Sequence, residues 1–349
     1  MQALTLFVPG LLWPQESLSA VAKGLDLPSL SWLLAKGQYQ VESGRVDQIL
    51  ASLFAMPSPL PVASLTAAFD GLSPDTTWLR ADPVHLRPEK EALVLVDSGV
   101  MSLSQAEVDA LISTLNAYFA EDGLSFVAPA PDRWYVSGVQ MPDASFYSVD
   151  EVIGRNVDAY LPEGDGRRHW RRWMNEVQML LHTHPVNIAR EEAGDPTVNS
   201  VWFWGRTDGQ SNAVCSTSGL SLDAVFADDV LARSLALEHS LPQTTAPWSW
   251  EGLREEAGAA SRVLCVLEQL RGAGQYYDAL GWREGLATLE EQWFAPLCQA
   301  LKQGHLSQLR LVVTGSEGRA AIWSMTRASR WQVWRRPKSI ATTLAAVGS

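Results

Sequence analysis

His184, Asn187 and Arg190 follow one another at three-residue spacing, just after the pair His182 and His184. An arginine offers a planar fork of donors to a phosphate or carboxylate, and asparagine and histidine add directional hydrogen bonds. The trio can therefore hold an anionic ligand. The same stretch equally suits a hydrogen-bonded connection that anchors a helix to a strand, and both readings stay open at this level. His182 and His184 are two apart, as metal ligands on a strand would be, but no third ligand stands nearby, so no metal site is assigned. A second group, Arg80, His85 and Arg87 with Asp82 among them, can also read an anion, or can form a salt-bridged linker. The basic run Arg167, Arg168, His169, Arg171 and Arg172 lies beside Glu163 and Asp165, which favours a solvated helix face or an anion site over nucleic acid.

Other chemistry is excluded by what is missing. The sequence contains no GxSxG, no GxxxxGK[ST] and no GxGxxG. Cys215, Cys265 and Cys298 form no CxxC and no disulfide framework, which suits a reducing, cytoplasmic setting. A net charge of -12 gives no advantage from phosphate counterion release, so no nucleic-acid partner is expected. No apolar run reaches the length of a membrane span, and the first residues lack a basic lead-in, so no membrane partner or signal peptide is expected either. With 46% hydrophobic residues, the chain of 349 residues has ample material for two cores. Its 15 tryptophans read as packing residues of a core or interface.

The elements that must position these groups alternate. Leu4 to Val8, Ala92 to Val96, Val198 to Trp204, Val263 to Leu267 and Leu309 to Thr314 read as strands, and Leu124 to Val127 with Arg133 to Val136 as a strand pair. Helices are expected over residues 17–23, 29–37, 46–54 and 62–69. Another is expected from Ser104 to Glu121, with Ser104 and Glu107 in capping-box spacing, and another from Arg168 to His182. From about Ser211 onward helices and strands alternate again. Residues 182–205 read as a helix end that reaches a strand through a polar, proline-bounded loop. The expected fold is α/β, a mostly parallel sheet flanked by helices, with a second α/β domain inserted. Residues 1–75 and 206–349 would form the first domain and 76–205 the insertion, with a ligand expected in the cleft between them.

The stretch from His184 to Gly205 resembles the archaeal-type cofactor-independent phosphoglycerate mutases of the alkaline phosphatase superfamily. Those share a His-Pro-Val-Asn, then Arg, then Gly, then an Asn before a hydrophobic strand and glycine. Pro28 to Gly37, Val62 to Thr66, Ser73-Pro74 and Phe226 to Ala236 are similar to further family segments in the same order. In the last of these Arg233 stands for a family lysine. The sequence also resembles a bacterial RpfE-type regulatory group.

The resemblance implies two divalent metals, Mn or Zn, and a serine or threonine nucleophile. At the matching positions those groups are absent. Pro9 stands for a metal-binding Asp, and Leu60 for the nucleophile. Arg271-Gly272-Ala273-Gly274-Gln275 replaces Asp-x-Ala-Gly-His, and Thr314 to Glu317 replaces Thr-x-Asp-His. The expectation is a catalytically degenerate, regulatory protein without catalytic residue, metal ligand or cofactor, which senses a phosphorylated small molecule or a protein partner. His184, Asn187, Arg190, Arg233, Arg80, His85 and Arg87 would be its ligand-binding residues. The alternative is an active mutase or phosphatase with a rebuilt metal site, in which Ser58, Ser64 or Thr66 offers a hydroxyl and Asp278 and Glu317 offer carboxylates.

Overall fold

A computed structural model describes every residue except 91, 207–220, 333, 348 and 349, and only the backbone of Glu317. Cys215 and the first part of the segment expected from Ser211 onward lie outside the described residues. The chain divides into two compact units, Met1–Pro59 with Ala213–Ser349, and Leu60–Asn212.

In the first unit, a seven-stranded sheet runs in the order Gln38–Ser43, Arg319–Thr326, Gln308–Gly315, Ala3–Leu12, Arg262–Val266, Ala224–Phe226, Gln243–Thr244. Pairing is parallel from Gln308–Gly315 through to Gln243–Thr244. It is antiparallel on the other side, between Gln308–Gly315 and Arg319–Thr326 and between Arg319–Thr326 and Gln38–Ser43. Strands buried on both faces read as continuous apolar runs, which is why Leu4 to Val8 and Leu311 to Val313 announce themselves. Alternate residues pack on one face: Leu4, Leu6 and Val8 join Leu309, Leu311 and Val313 in a core with Trp282, Trp293, Phe294 and Leu297. Gln38–Ser43 has no apolar run, and most of its residues are exposed, so periodicity offers nothing to find it by.

The second unit differs in character. Trp78–Glu89 lies at the middle of a five-stranded sheet and pairs antiparallel with Ala92–Val96, Arg133–Gly138 and Ser200–Trp204. Leu124–Ala130 closes the sheet against Arg133–Gly138, also antiparallel. Strands joined by so short a turn have only the antiparallel arrangement open to them. Gln105–Phe119 buries Val108, Leu111, Leu115 and Phe119, and Arg167–His182 buries Trp170, Trp173, Met174, Val177 and Leu181. These are the apolar stripes their spacing predicts. The helix Val62–Phe69 goes with this unit, whereas the sequence reading assigned it to the chain ends. Its tie is local: the Ala63 N–H donates to Gly205 O at 3.0 Å, and Thr66 accepts from Arg80.

Candidate functional site

The strongest sequence motif is a structural joint. Pro185–Ala193 is a helix, not a loop, with His184 as N-cap, proline in its first turn and left-handed Gly194 at its end. Those three signals stand in the sequence and predict a helix in place of the expected proline-bounded loop. His184 Nδ1 accepts the Val186 N–H at 3.2 Å, which places the ring proton on Nε2, 3.0 Å from Thr114 Oγ1. Burial pushes the imidazole below its ordinary value and so favours this neutral form.

Asn187 is buried and donates from Nδ2 to Leu181 O and Val198 O, both at 2.7 Å. Its Oδ1 accepts the Val198 N–H at 2.9 Å. The one side chain thus joins the end of Arg167–His182 to the residues leading into Ser200–Trp204. Arg190, also buried, donates from Nε to Pro196 O at 2.7 Å, from Nη1 to Glu107 Oε1 at 2.8 Å, and from Nη2 to Met101 O. Burial raises the Glu107 carboxyl, but bonds from Ser104 and then Arg190 outweigh it and hold the group at about 2. The structure therefore brings His184, Asn187 and Arg190 onto one short helix, with their polar atoms turned to the chain itself.

Arg80 sits in a different, buried network. Its Nε and Nη2 donate to Asp82 Oδ1 at 2.9 and 2.7 Å, and its guanidinium lies 5.3 Å from the Tyr135 ring and 5.2 Å from the Trp204 ring. Trp204 Nε1 donates to Asp82 Oδ2 at 2.6 Å. Burial pushes the Asp82 carboxyl up against the pull of Arg80, Trp204 and Trp134. Beside it Arg133 forks onto Asp70 at 2.6 and 2.7 Å, and Tyr135 Oη donates to the same carboxylate at 2.7 Å. Sequence reasoning missed Asp70, Arg133, Tyr135 and Trp204 as members, because their separation along the chain gives no local signal. His85 is apart, with Nδ1 donating to Thr197 O at 2.9 Å, and Arg87 forms an exposed pair with Glu89. Arg233 belongs to the first unit, on Val230–Glu238, and donates from Nε to Gln243 Oε1 at 2.6 Å.

The carboxyl ends of the parallel strands, where open α/β sheets bind ligands, carry another arrangement. Asp228 and Asp229 follow Ala224–Phe226, and Glu268 and Arg271 follow Arg262–Val266. Arg271 Nη1 bridges Asp229 Oδ2 at 2.8 Å and Glu268 Oε1 at 2.5 Å. Gly10 has a φ of 82°, and a side chain there would start 2.4 Å from Leu270 O. The chain at Leu270 thus lies directly on the strand at Gly10, and Trp282 Nε1 donates to Gly10 O at 3.0 Å. A cavity of about 270 Å³ is lined by Asp228, Trp248, Glu268 and Gln269 among others.

These residues do not fit a pair of divalent cations. A guanidinium already sits between the two carboxylates, and the Pro9 side chain offers no ligand atom. Among the described residues no three His, Cys, Asp or Glu side chains converge on one point. Of the proposed substitutes, Thr66 Oγ1 donates to Val62 O at 2.8 Å, and Asp278 caps Ala279–Leu289. The side chain of Glu317 lies outside the described residues.

No family model matches the chain. A probable 2,3-bisphosphoglycerate-independent phosphoglycerate mutase of Geobacter sulfurreducens is 28% identical over 152 residues, 42% of this chain and 37% of that protein. The 2,3-bisphosphoglycerate-independent mutase of Methanosarcina mazei is 25% identical over 158 residues, 45% of this chain and 38% of its own length. The chain is similar to cofactor-independent phosphoglycerate mutases. The matched segment spans well under half the length of either relative. A solved protein of Pyrococcus horikoshii shares the fold, with a TM-score of 0.55 at 14% identity over 93% of this chain and 87% of that one. Sequence and fold agree with the superfamily likeness carried by the motifs. No helix among the described residues is long and apolar enough to cross a membrane.

Proposed function

We propose that this chain is a catalytically degenerate relative of the mutases that acts by binding, as a regulatory protein. The observation that supports this most is Arg271. It stands where the resemblance places a metal-binding Asp, and its guanidinium bridges Asp229 and Glu268. A permanent cation there supplies the positive charge that the carboxylates need, and repels a metal ion. Phosphoryl transfer in the superfamily the chain resembles rests on metal charge. The hydrogen bonds of His184, Asn187 and Arg190 are made within the chain, which argues against a phosphorylated metabolite at those residues. A metabolite held there would first have to displace Glu107, Pro196 O and Met101 O.

The test is thermal stabilisation of the purified chain by Mn²⁺, Zn²⁺ and Mg²⁺ and by phosphorylated metabolites, for the wild type and for Arg271→Ala. A ligand of the native state raises the melting temperature by mass action. The expected result is no metal effect on the wild type. Stabilisation by metal, reversed by a chelator, overturns the proposal. Stabilisation by a phosphorylated metabolite without metal keeps the binding role but moves it from a protein to a small molecule.

A further inference from the structure

From residue 318 to the last residue the sequence holds Arg319, Arg327, Arg330, Arg335, Arg336 and Lys338 and no acidic residue, in a chain whose net charge is -12. The same segment exposes two indoles, Trp331 at 68% and Trp334 at 73%. Arg335, Arg336, Pro337 and Lys338 are exposed beside them. Large aromatic side chains are the residues a fold most readily buries, and Trp134, Trp170, Trp202, Trp282, Trp293 and Trp323 are fully buried here.

The loop is held in this posture from both ends. The buried Lys36 ammonium donates to Gln332 O at 2.6 Å and to Arg335 O at 2.7 Å, and Arg335 Nη1 donates to Gly37 O at 2.9 Å. Upstream, Arg330 Nη1 donates to Lys302 O at 2.5 Å, and its guanidinium lies 4.8 Å from the Trp331 ring. Downstream, Ile340–Ala345 buries Ile340 and Leu344, and Gln15 Nε2 donates to Ala345 O and Val347 O. The indoles are thus presented on a braced turn rather than on a loose tail.

Exposed tryptophan beside arginine and lysine matches the boundary of an anionic bilayer. Indole rings partition to the headgroup level, and basic side chains are drawn to the negative leaflet surface. We propose that the exposed side chains Trp331, Trp334, Arg336 and Lys338 dock this chain peripherally on an anionic membrane surface, with Trp331 and Trp334 entering the headgroup layer and Arg336 and Lys338 contacting lipid phosphates. Such docking needs no spanning helix. A nucleic acid fits less well, because it needs a basic track along its backbone. The cations here cluster in one loop of a chain that is otherwise more acidic than its net charge shows.

The test is co-sedimentation of the full chain with phosphatidylcholine vesicles, with and without phosphatidylserine, alongside tryptophan emission. Binding is expected only with phosphatidylserine, accompanied by a blue shift and weakening as salt rises. Each cation removed by Arg336→Gln or Lys338→Gln should weaken binding about five-fold. The double variant Trp331→Ala with Trp334→Ala should abolish both binding and blue shift. All four side chains are exposed, so circular dichroism should be unchanged. No binding at low salt, equal binding to both lipids, or binding that survives the tryptophan variant overturns the proposal. So does an oligonucleotide that competes with the vesicles through the same residues, which would reassign the loop to nucleic acid.

Discussion

Arg190→Ala separates an anchoring arginine from a ligand-binding one. The side chain is 6% exposed and makes a bond from each of its three nitrogens, to Pro196 O, to Glu107 and to Met101 O. Removing it strands two carbonyls in a largely buried position. Leaving a buried polar group unsatisfied costs about 1 to 3 kcal/mol each, whereas Glu107, whose side chain is 26% exposed, regains water. Some water will enter the space left behind, so the expected loss is about 3 kcal/mol. For a cooperative unit of this size that corresponds to a fall in melting temperature of about 6 to 12 °C. Arg190→Lys keeps a cation but cannot span three acceptors, and should recover less than half of the loss. Urea unfolding followed by tryptophan emission reads both variants. A loss below about 1 kcal/mol for Arg190→Ala would show that the bonds to Pro196 and Met101 carry little, and would return the residue to the ligand-binding reading.

Two further outcomes follow from the same joint. Asn187→Ala removes three hydrogen bonds in a buried position and should destabilise by about 2 to 4 kcal/mol, measured by the same unfolding curve, while Asn187→Asp should fare no better because it loses both donors to carbonyls. The Glu107 carboxyl lies below its ordinary value of 4.5, at about 2, so its contribution is fully present above pH 4.5 and is lost as pH falls towards 2. Unfolding midpoints measured across that window should fall in the wild type, and should fall less steeply in Glu107→Gln.

The parts of the fold legible in the sequence are those whose signal is local. Ser104 with Glu107 foretold a cap that the structure contains, and the apolar runs at Leu4 and Leu309 marked paired strands of the first sheet. Gln38–Ser43 was illegible because a polar edge strand is defined by its neighbour, not by its own pattern. Residues 185–193 were legible and misread: histidine, proline and glycine at those places spell a cap, a first turn and a stop. In the candidate site, sequence alone could mark the change to Arg271 but not its partners. Glu268 is three residues away, but Asp229 meets it only because two parallel strands end side by side. The Arg80 network was half visible, since Arg80 and Asp82 are neighbours on one face of a strand, while Trp204 and Tyr135 reach them across the sheet.

The most direct measurement of the central claim is interconversion of 3-phosphoglycerate and 2-phosphoglycerate by the purified chain, followed by ³¹P NMR with Mn²⁺ or Zn²⁺ present and again with chelator. The account predicts no conversion above the protein-free control under either condition, because the resemblance places Pro9, Leu60 and Arg271 at the positions of metal ligands and nucleophile. Conversion that requires metal and stops on chelation would contradict it, and would mean that a catalytic centre has been rebuilt from other residues.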